Sequence, residues 1–78
     1  MLNQDMNEKI IDLRRRAAEC YQKAAWNQLL ALDNFRESNL EAAERFAQLS
    51  FVDQMDATEF AELADAEMSL SLDLREEC

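Results

Sequence analysis

Apolar residues recur along the first part of the chain with the period of an α-helix. Six residues, mostly apolar, recur at intervals of three and four, a spacing that keeps side chains on one face of a helix. The pattern predicts one long amphipathic helix from Asn3 to about Leu32. The six residues are Met6, Ile10, Leu13, Ala17, Cys20 and Ala24.

Beyond Ala24 we expect the buried face of this helix to shift. A straight α-helix drifts against a strict seven-residue repeat, so another set of apolar residues should take over. Trp26 and Leu30 lie to one side of that line and should widen the apolar face. The second set is Tyr21, Ala25, Leu29, Leu32 and Phe35.

A break between the first two helices is predicted near Asp33–Asn39. Ser38 is followed three residues later by Glu41, the arrangement of a capping box, so helix 2 should start at Asn39. Its inward side chains should be those of Leu40, Ala43, Phe46, Ala47, Leu49 and Phe51.

A second break is indicated near Asp53–Thr58. Asp56 and Glu59 form another potential capping box, with Thr58 as an alternative cap. A third helix would start at Ala57 and bury Phe60, Leu63 and Ala64. One continuous helix remains an alternative, because nothing between Ala47 and Thr58 forbids it.

The tail at 69–74 alternates strictly between leucine and a polar residue. Alternation is typical of a strand or an extended peptide. The sequence predicts no other strand with which the tail could pair, so we interpret it as the fraying end of a helix.

Composition supports an all-α fold. The 78 residues include no Gly and no Pro, so there is no residue that adopts positive φ at little cost and none that pre-sets a turn. We expect a single domain, residues 1–78, folded as an antiparallel hairpin or bundle of two or three helices. So short a chain buries a modest core, which favours a homodimer through helix 1. The predicted core and dimer residues are Met6, Ile10, Leu13, Ala17, Tyr21, Trp26, Leu29 and Leu30.

The residue types present argue against catalysis. There is no His, which is the commonest general base and metal-binding imidazole. Cys20 lies on the apolar stripe without a base to activate it. Two Glu-x-x-Glu pairs, at Glu41/Glu44 and Glu59/Glu62, lack the His of di-iron bundles. We therefore expect no enzyme activity, no metal and no cofactor.

The N-terminal segment carries Asp5 and Glu8 where a secretory signal would be basic. No apolar run approaches the roughly 20 residues that a membrane span needs. The two cysteines, Cys20 and Cys78, do not form a disulfide framework. These features predict a cytoplasmic protein that does not associate with membranes.

Charge is unevenly distributed along the chain. Residues 1–36 hold six Lys or Arg and five Asp or Glu, whereas residues 37–78 hold two Arg and twelve acids. Between Arg45 and Arg75 there is no cation. Two interpretations are structural: a solvated helix face, or a face that the arginines of helix 1 neutralise. The functional interpretation is a surface that docks on a basic protein partner through Asp53, Asp56, Glu59, Glu62, Asp65 and Glu67.

Direct nucleic-acid binding is not expected. Arg14, Arg15 and Arg16 are consecutive on a helix and fan around it, and the net charge of −9 repels phosphate. The sequence thus favours a small acidic regulator or inhibitor that binds a larger basic protein, including one that itself binds or processes nucleic acid. The alternative is a structural subunit or assembly factor that uses the apolar helix stripe.

Overall fold

The computed structural model describes the backbone of residues 2–77 and the side chains of residues 7–73. Two α-helices account for nearly all of this: α1 spans Leu2–Arg36 and α2 spans Leu40–Glu77. They pack side by side as an antiparallel hairpin 60 Å long and 15 × 12 Å across. The prediction of an all-α hairpin is confirmed, and the number of helices is two.

The turn between the helices has a defined hydrogen-bonded geometry. Ser38 has a positive φ of 65°. Its amide donates to the carbonyl of Phe35 (3.1 Å), and the amide of Asn39 donates to the carbonyl of Asn34 (2.8 Å). This is the Schellman arrangement, in which the residue after the helix end is left-handed.

The predicted first break is therefore correct, but the predicted capping box is wrong. Ser38 ends α1 instead of capping α2. The carbonyl of Asn39 accepts the first hydrogen bond of α2, from the amide of Ala43 (2.9 Å), so Asn39 is the N-cap residue. In the absence of Gly, a serine adopts the left-handed conformation.

The predicted second break is wrong, because α2 continues through residues 53–58 without interruption. The hydroxyl of Thr58 donates to the carbonyl of Gln54 four residues earlier (2.9 Å). Threonine satisfies its hydroxyl in this way inside a helix, so its presence does not force a helix start. α2 also runs through the alternating tail to Glu77, which confirms the helical interpretation of that segment.

The two helices contact each other along a strict seven-residue repeat, which we call the interhelical stripe. From residue 17 to 31 on α1 and from 43 to 64 on α2, every seventh residue is small and buried, and the residues midway between them are larger or polar and half-buried. Small side chains let two helix backbones approach closely. The small members are Ala17, Ala24 and Ala31 on α1 and Ala43, Ser50, Ala57 and Ala64 on α2.

The predicted shift of the buried face after Ala24 is wrong. The stripe continues through Asn27, Ala31 and Asn34, which are buried or half-buried, as one seven-residue repeat. Polar residues at the intermediate positions hid this continuation in the sequence. The apolar residues expected to replace the stripe are exposed instead: Tyr21, Ala25, Leu29, Leu32 and Phe35.

On α2 the same repeat decides which apolar residues turn inward. Ala43 and Ala64 are buried and Phe46 and Phe60 are half-buried, as predicted. The other predicted inward residues lie off the repeat and are exposed: Leu40, Ala47, Leu49, Phe51 and Leu63.

Candidate partner-binding surface

Three of the six predicted partner-binding acids turn towards α1. Asp53 lies in the interhelical stripe, half-buried, and accepts a 2.8 Å hydrogen bond from the side-chain amide of Asn27. Asp65 lies 2.6 Å from a guanidinium nitrogen of Arg14. Both carboxylates contact side chains of α1, but only Asp65 has a cation as its partner, because the amide of Asn27 is neutral.

Glu67 is the third acid used inside the hairpin. Its carboxylate lies 2.9 Å from the Nζ atom of Lys9, and its side chain is largely buried, with 23% exposed. The expectation that the arginines of helix 1 neutralise this face is met by Arg14 at Asp65, whereas the partner of Glu67 is a lysine. Arg16 instead pairs with Asp12 on its own helix (2.9 Å), as its spacing predicts, and its guanidinium lies 6.0 Å from the ring centre of Phe60.

The other three acids, Asp56, Glu59 and Glu62, make no hydrogen bond or ion pair with the described side chains of α1. All three are exposed. Within the part of the chain whose side chains are described, none of them makes a side-chain hydrogen bond or an ion pair. Their charge is therefore directed to solvent and is uncompensated by neighbouring cations.

Exposed apolar side chains lie next to these acids. Residues three and four apart are neighbours on a helix, so Val52 and Met55 flank Asp56 and Glu59. Val52 is 52% exposed and Met55 is 55% exposed. A shallow groove runs along this part of α2, and the residues that line it include Met55, Glu59 and Glu62. We call Val52, Met55, Asp56, Glu59 and Glu62 the acidic surface.

The predicted apolar contact residues do not form one surface. Ile10 and Leu13 are half-buried and Ala17 is buried, and all three lie in the interhelical stripe. Leu30 is half-buried beside it. The other described members, Tyr21, Trp26 and Leu29, are exposed. Met6 lies outside the residues whose side chains are described.

The polar members of the interhelical stripe do not follow from the spacing of apolar residues. Ser50 is only 2% exposed, and its hydroxyl donates a 2.7 Å hydrogen bond to the carbonyl of Ala24. Asn27, Asn34 and Asp53 also occupy stripe positions. A search for small residues at intervals of seven, without regard to polarity, would have found the stripe in both helices.

The described side chains include no candidate metal site. No group of three or more Cys, Asp or Glu residues in residues 7–73 is placed to hold a metal ion. Cys20 is a half-buried free thiol. Neither helix, over the length described, is long and apolar enough to cross a membrane.

Comparison with known proteins gives no relative that would assign a role to these surfaces. No protein-family model, no curated protein and no solved structure matches this chain.

Proposed function

We propose that this chain is a small non-enzymatic interaction protein that docks its acidic surface on a larger protein with a basic surface. The supporting observation is that Asp56, Glu59 and Glu62 are exposed together without a counter-charge among the described residues. Like charges at helical spacing destabilise a helix slightly, so an unmatched run of them is unfavourable for the isolated chain. A cationic partner would offset the repulsion among these carboxylates by attracting them.

The chemistry of the acidic surface defines the kind of partner. Carboxylates attract a basic surface over a distance and raise the association rate, while Val52 and Met55 supply apolar area that is removed from water on contact. Proteins that bind or process nucleic acid carry such basic surfaces, because their Lys and Arg side chains contact the phosphates. The proposed role is that of a regulator or inhibitor, acting in the cytoplasm, that competes for a surface of this kind.

The test is a charge reversal with a control of equal charge. The immobilised chain and its Asp56→Lys/Glu59→Lys/Glu62→Lys variant are compared for proteins retained from cell extract at low and at high salt. Docking through the acidic surface predicts that wild type retains basic proteins, that salt releases them, and that the variant does not retain them.

The control variant carries three reversals at exposed acids elsewhere, Glu8→Lys/Glu19→Lys/Glu37→Lys. It has the same net charge as the test variant, so it separates a local surface from general acidity. The proposal fails if both variants lose the retained proteins equally, or if neither loses them. Duplex DNA added as a competitor should release any retained protein whose basic surface binds nucleic acid.

A second candidate function is that of a structural subunit or assembly factor, including a homodimer. The observation that favours it is the number of large apolar side chains that the hairpin leaves exposed, among them Trp26 at 64% and Phe35 at 66%. In this case Phe35→Asp should abolish assembly, and the triple reversal of the acidic surface should leave assembly intact.

A further inference from the structure

The hairpin carries a second row of apolar side chains beside the interhelical stripe. On α1 it repeats at intervals of three and four and includes Ile11, Tyr21, Leu32 and Phe35, all exposed. On α2 it repeats in the same way. We call this row the second stripe; its α2 members include Leu40, Ala47, Phe51, Met68 and Leu72.

Both helices contribute the second stripe to the same side of the hairpin. At the turn end, one groove is lined by residues of both helices, including Leu32, Phe35 and Leu40. At the open end, a groove of the same volume, about 470 Å³, is lined by Ile11 of α1 and by Met68 and Leu72 of α2, among others. The second stripe therefore forms one face along the hairpin that is apolar at both ends and mixed in the middle, where Tyr21 and Phe51 alternate with Gln28, Gln54 and Thr58.

The small apolar area buried inside the hairpin explains why the second stripe should be buried against a partner. The buried apolar residues among those described are all alanine, and the largest side chain that is fully buried is that of Ser50. Leucine and phenylalanine side chains remove much more apolar area from water than alanine when they are buried. In this hairpin many of them face solvent instead. A chain of this size with such a core gains the missing burial by association.

We propose that a second copy of this chain covers the second stripe and forms an antiparallel four-helix bundle. This inference specifies the homodimer mentioned above and names its face and orientation. A partner must match a face two helices wide and nearly 60 Å long, and the same face of another copy does so. Two such faces related by a two-fold axis give an isologous dimer.

Charge complementarity selects the orientation of the two hairpins. The only charged residues in the second stripe, over the described side chains, are Arg14 and Asp65 near the open end and Glu44 near the turn end. If both turns lay at the same end, both Glu44 carboxylates would lie at that end, where the second stripe has no cation among the described side chains. A two-fold axis perpendicular to the helices places each Glu44 instead at the open end of the partner subunit, where Arg14 and Asp65 form an ion pair.

The same antiparallel arrangement matches the two apolar grooves. The turn-end groove of one protomer meets the open-end groove of its partner, so Phe35 and Leu40 pack against residues such as Ile11 and Leu72 of the partner subunit. The guanidinium of Arg14 carries five N–H donors, so it can donate to Asp65 in its own chain and also to a second carboxylate. The axis passes near Tyr21 and Thr58, halfway along the hairpin.

The experiment combines a substitution pair with a distance measurement. Sedimentation equilibrium under reducing conditions is compared for wild type, Leu32→Glu and Leu29→Glu. Both leucines are exposed on α1, Leu32 at 44% and Leu29 at 54%, but only Leu32 belongs to the second stripe. We expect wild type and Leu29→Glu to be dimers and Leu32→Glu to be a monomer. A monomeric wild type, or equal behaviour of the two variants, overturns the proposal.

A charge reversal at Glu44 tests the proposed antiparallel orientation. Glu44→Lys should raise the dimer dissociation constant on the order of tenfold, because it places a cation against Arg14 of the partner subunit. Glu41→Lys makes the same change one turn earlier, off the second stripe, and should leave the constant unchanged. An unchanged constant in both variants overturns the antiparallel orientation.

Spin labels measure the orientation directly. In a Cys20→Ser/Cys78→Ser background, a label is attached to Glu37→Cys at the turn, and the distance between the two labels is measured by pulsed electron paramagnetic resonance. The antiparallel bundle predicts a separation close to the 60 Å length of the hairpin. A separation of about one bundle width overturns the orientation.

The dimer and the docking proposal fail separately. The groove beside the acidic surface is also lined by Phe51 of the second stripe and by Thr58 near the axis, so a substitution far from it separates the two proposals. Leu32→Glu lies at the turn end and should give a monomer that still retains the basic partner, and with this result both proposals stand. A wild-type monomer that still retains the basic partner overturns the dimer alone.

Discussion

The hydroxyl of Ser50 on α2 donates a 2.7 Å hydrogen bond to the main-chain carbonyl of Ala24 on α1. A short side chain can reach the backbone of another helix only when the two helices are close together. The alanines at intervals of seven along both helices make this approach possible. The close approach also explains why the larger intermediate residues, such as Phe46 and Phe60, are only half-buried.

Enlarging Ser50 should destabilise the hairpin more than removing its hydroxyl. Ser50→Ala loses one interhelical hydrogen bond, which contributes about 0.5–1.5 kcal/mol. Ser50→Leu forces the backbones apart and should cost about 1–3 kcal/mol. Urea unfolding followed by circular dichroism, at one fixed protein concentration, measures both. Ser69 on the exposed surface of α2 is the control, and a Ser50→Leu variant as stable as Ser69→Leu would rule out the close approach.

Replacing Ser38 by Gly should stabilise the chain. Ser38 has a φ of 65°, a left-handed conformation that costs a residue with a Cβ about 1–2 kcal/mol and costs Gly almost nothing. We expect a gain of about 1 kcal/mol in the free energy of unfolding. Ser69→Gly is the matched control, because the same change inside a helix should lower stability by about 0.5–1 kcal/mol. Changes of the same sign in both variants would contradict the assigned turn geometry.

The fold class and the position of the turn could be predicted from the sequence because both depend on local patterns. Three-and-four spacing indicated helices, and the predicted start of helix 2 at Asn39 lies one residue from the observed start at Leu40. The predicted break at residues 53–58 was wrong because a capping pattern allows a helix to start but does not require it. Thr58 binds the carbonyl of Gln54 within the helix, so the pattern has no structural effect there.

The face of each helix and the role of each acid were harder to predict, because they depend on how the two helices pair. Asn27 and Asp53 are polar, so a search for apolar periodicity passed over two residues that meet in the interhelical stripe. Both Asp65 and Glu62 are exposed, and nothing local indicates that Asp65 binds Arg14 while Glu62 has no partner among the described side chains. Only the register of α2 against α1 separates them.

The pair formed by Asn27 and Asp53 should show strong coupling in a double-mutant cycle. Asp53→Leu leaves the amide of Asn27 without its partner in a half-buried position, which should cost about 1–3 kcal/mol. The double variant Asn27→Leu/Asp53→Leu removes both polar groups and should recover most of that loss. Chemical unfolding of the four proteins gives the coupling energy. Additive effects of the two single changes would mean that the hydrogen bond does not contribute to stability.

Neutralising the acidic surface should raise the stability of the chain. Asp56, Glu59 and Glu62 are spaced three residues apart, so each neighbouring pair repels by about 0.2–0.5 kcal/mol. The variant Asp56→Asn/Glu59→Gln/Glu62→Gln should therefore unfold at a higher urea concentration than wild type in low salt. The difference should shrink in high salt, because exposed charges are screened. Asp65→Asn is the control and should bring no gain, since that carboxylate already has Arg14 as its counter-charge. A triple variant less stable than wild type at low salt would mean that these acids have partners within the fold.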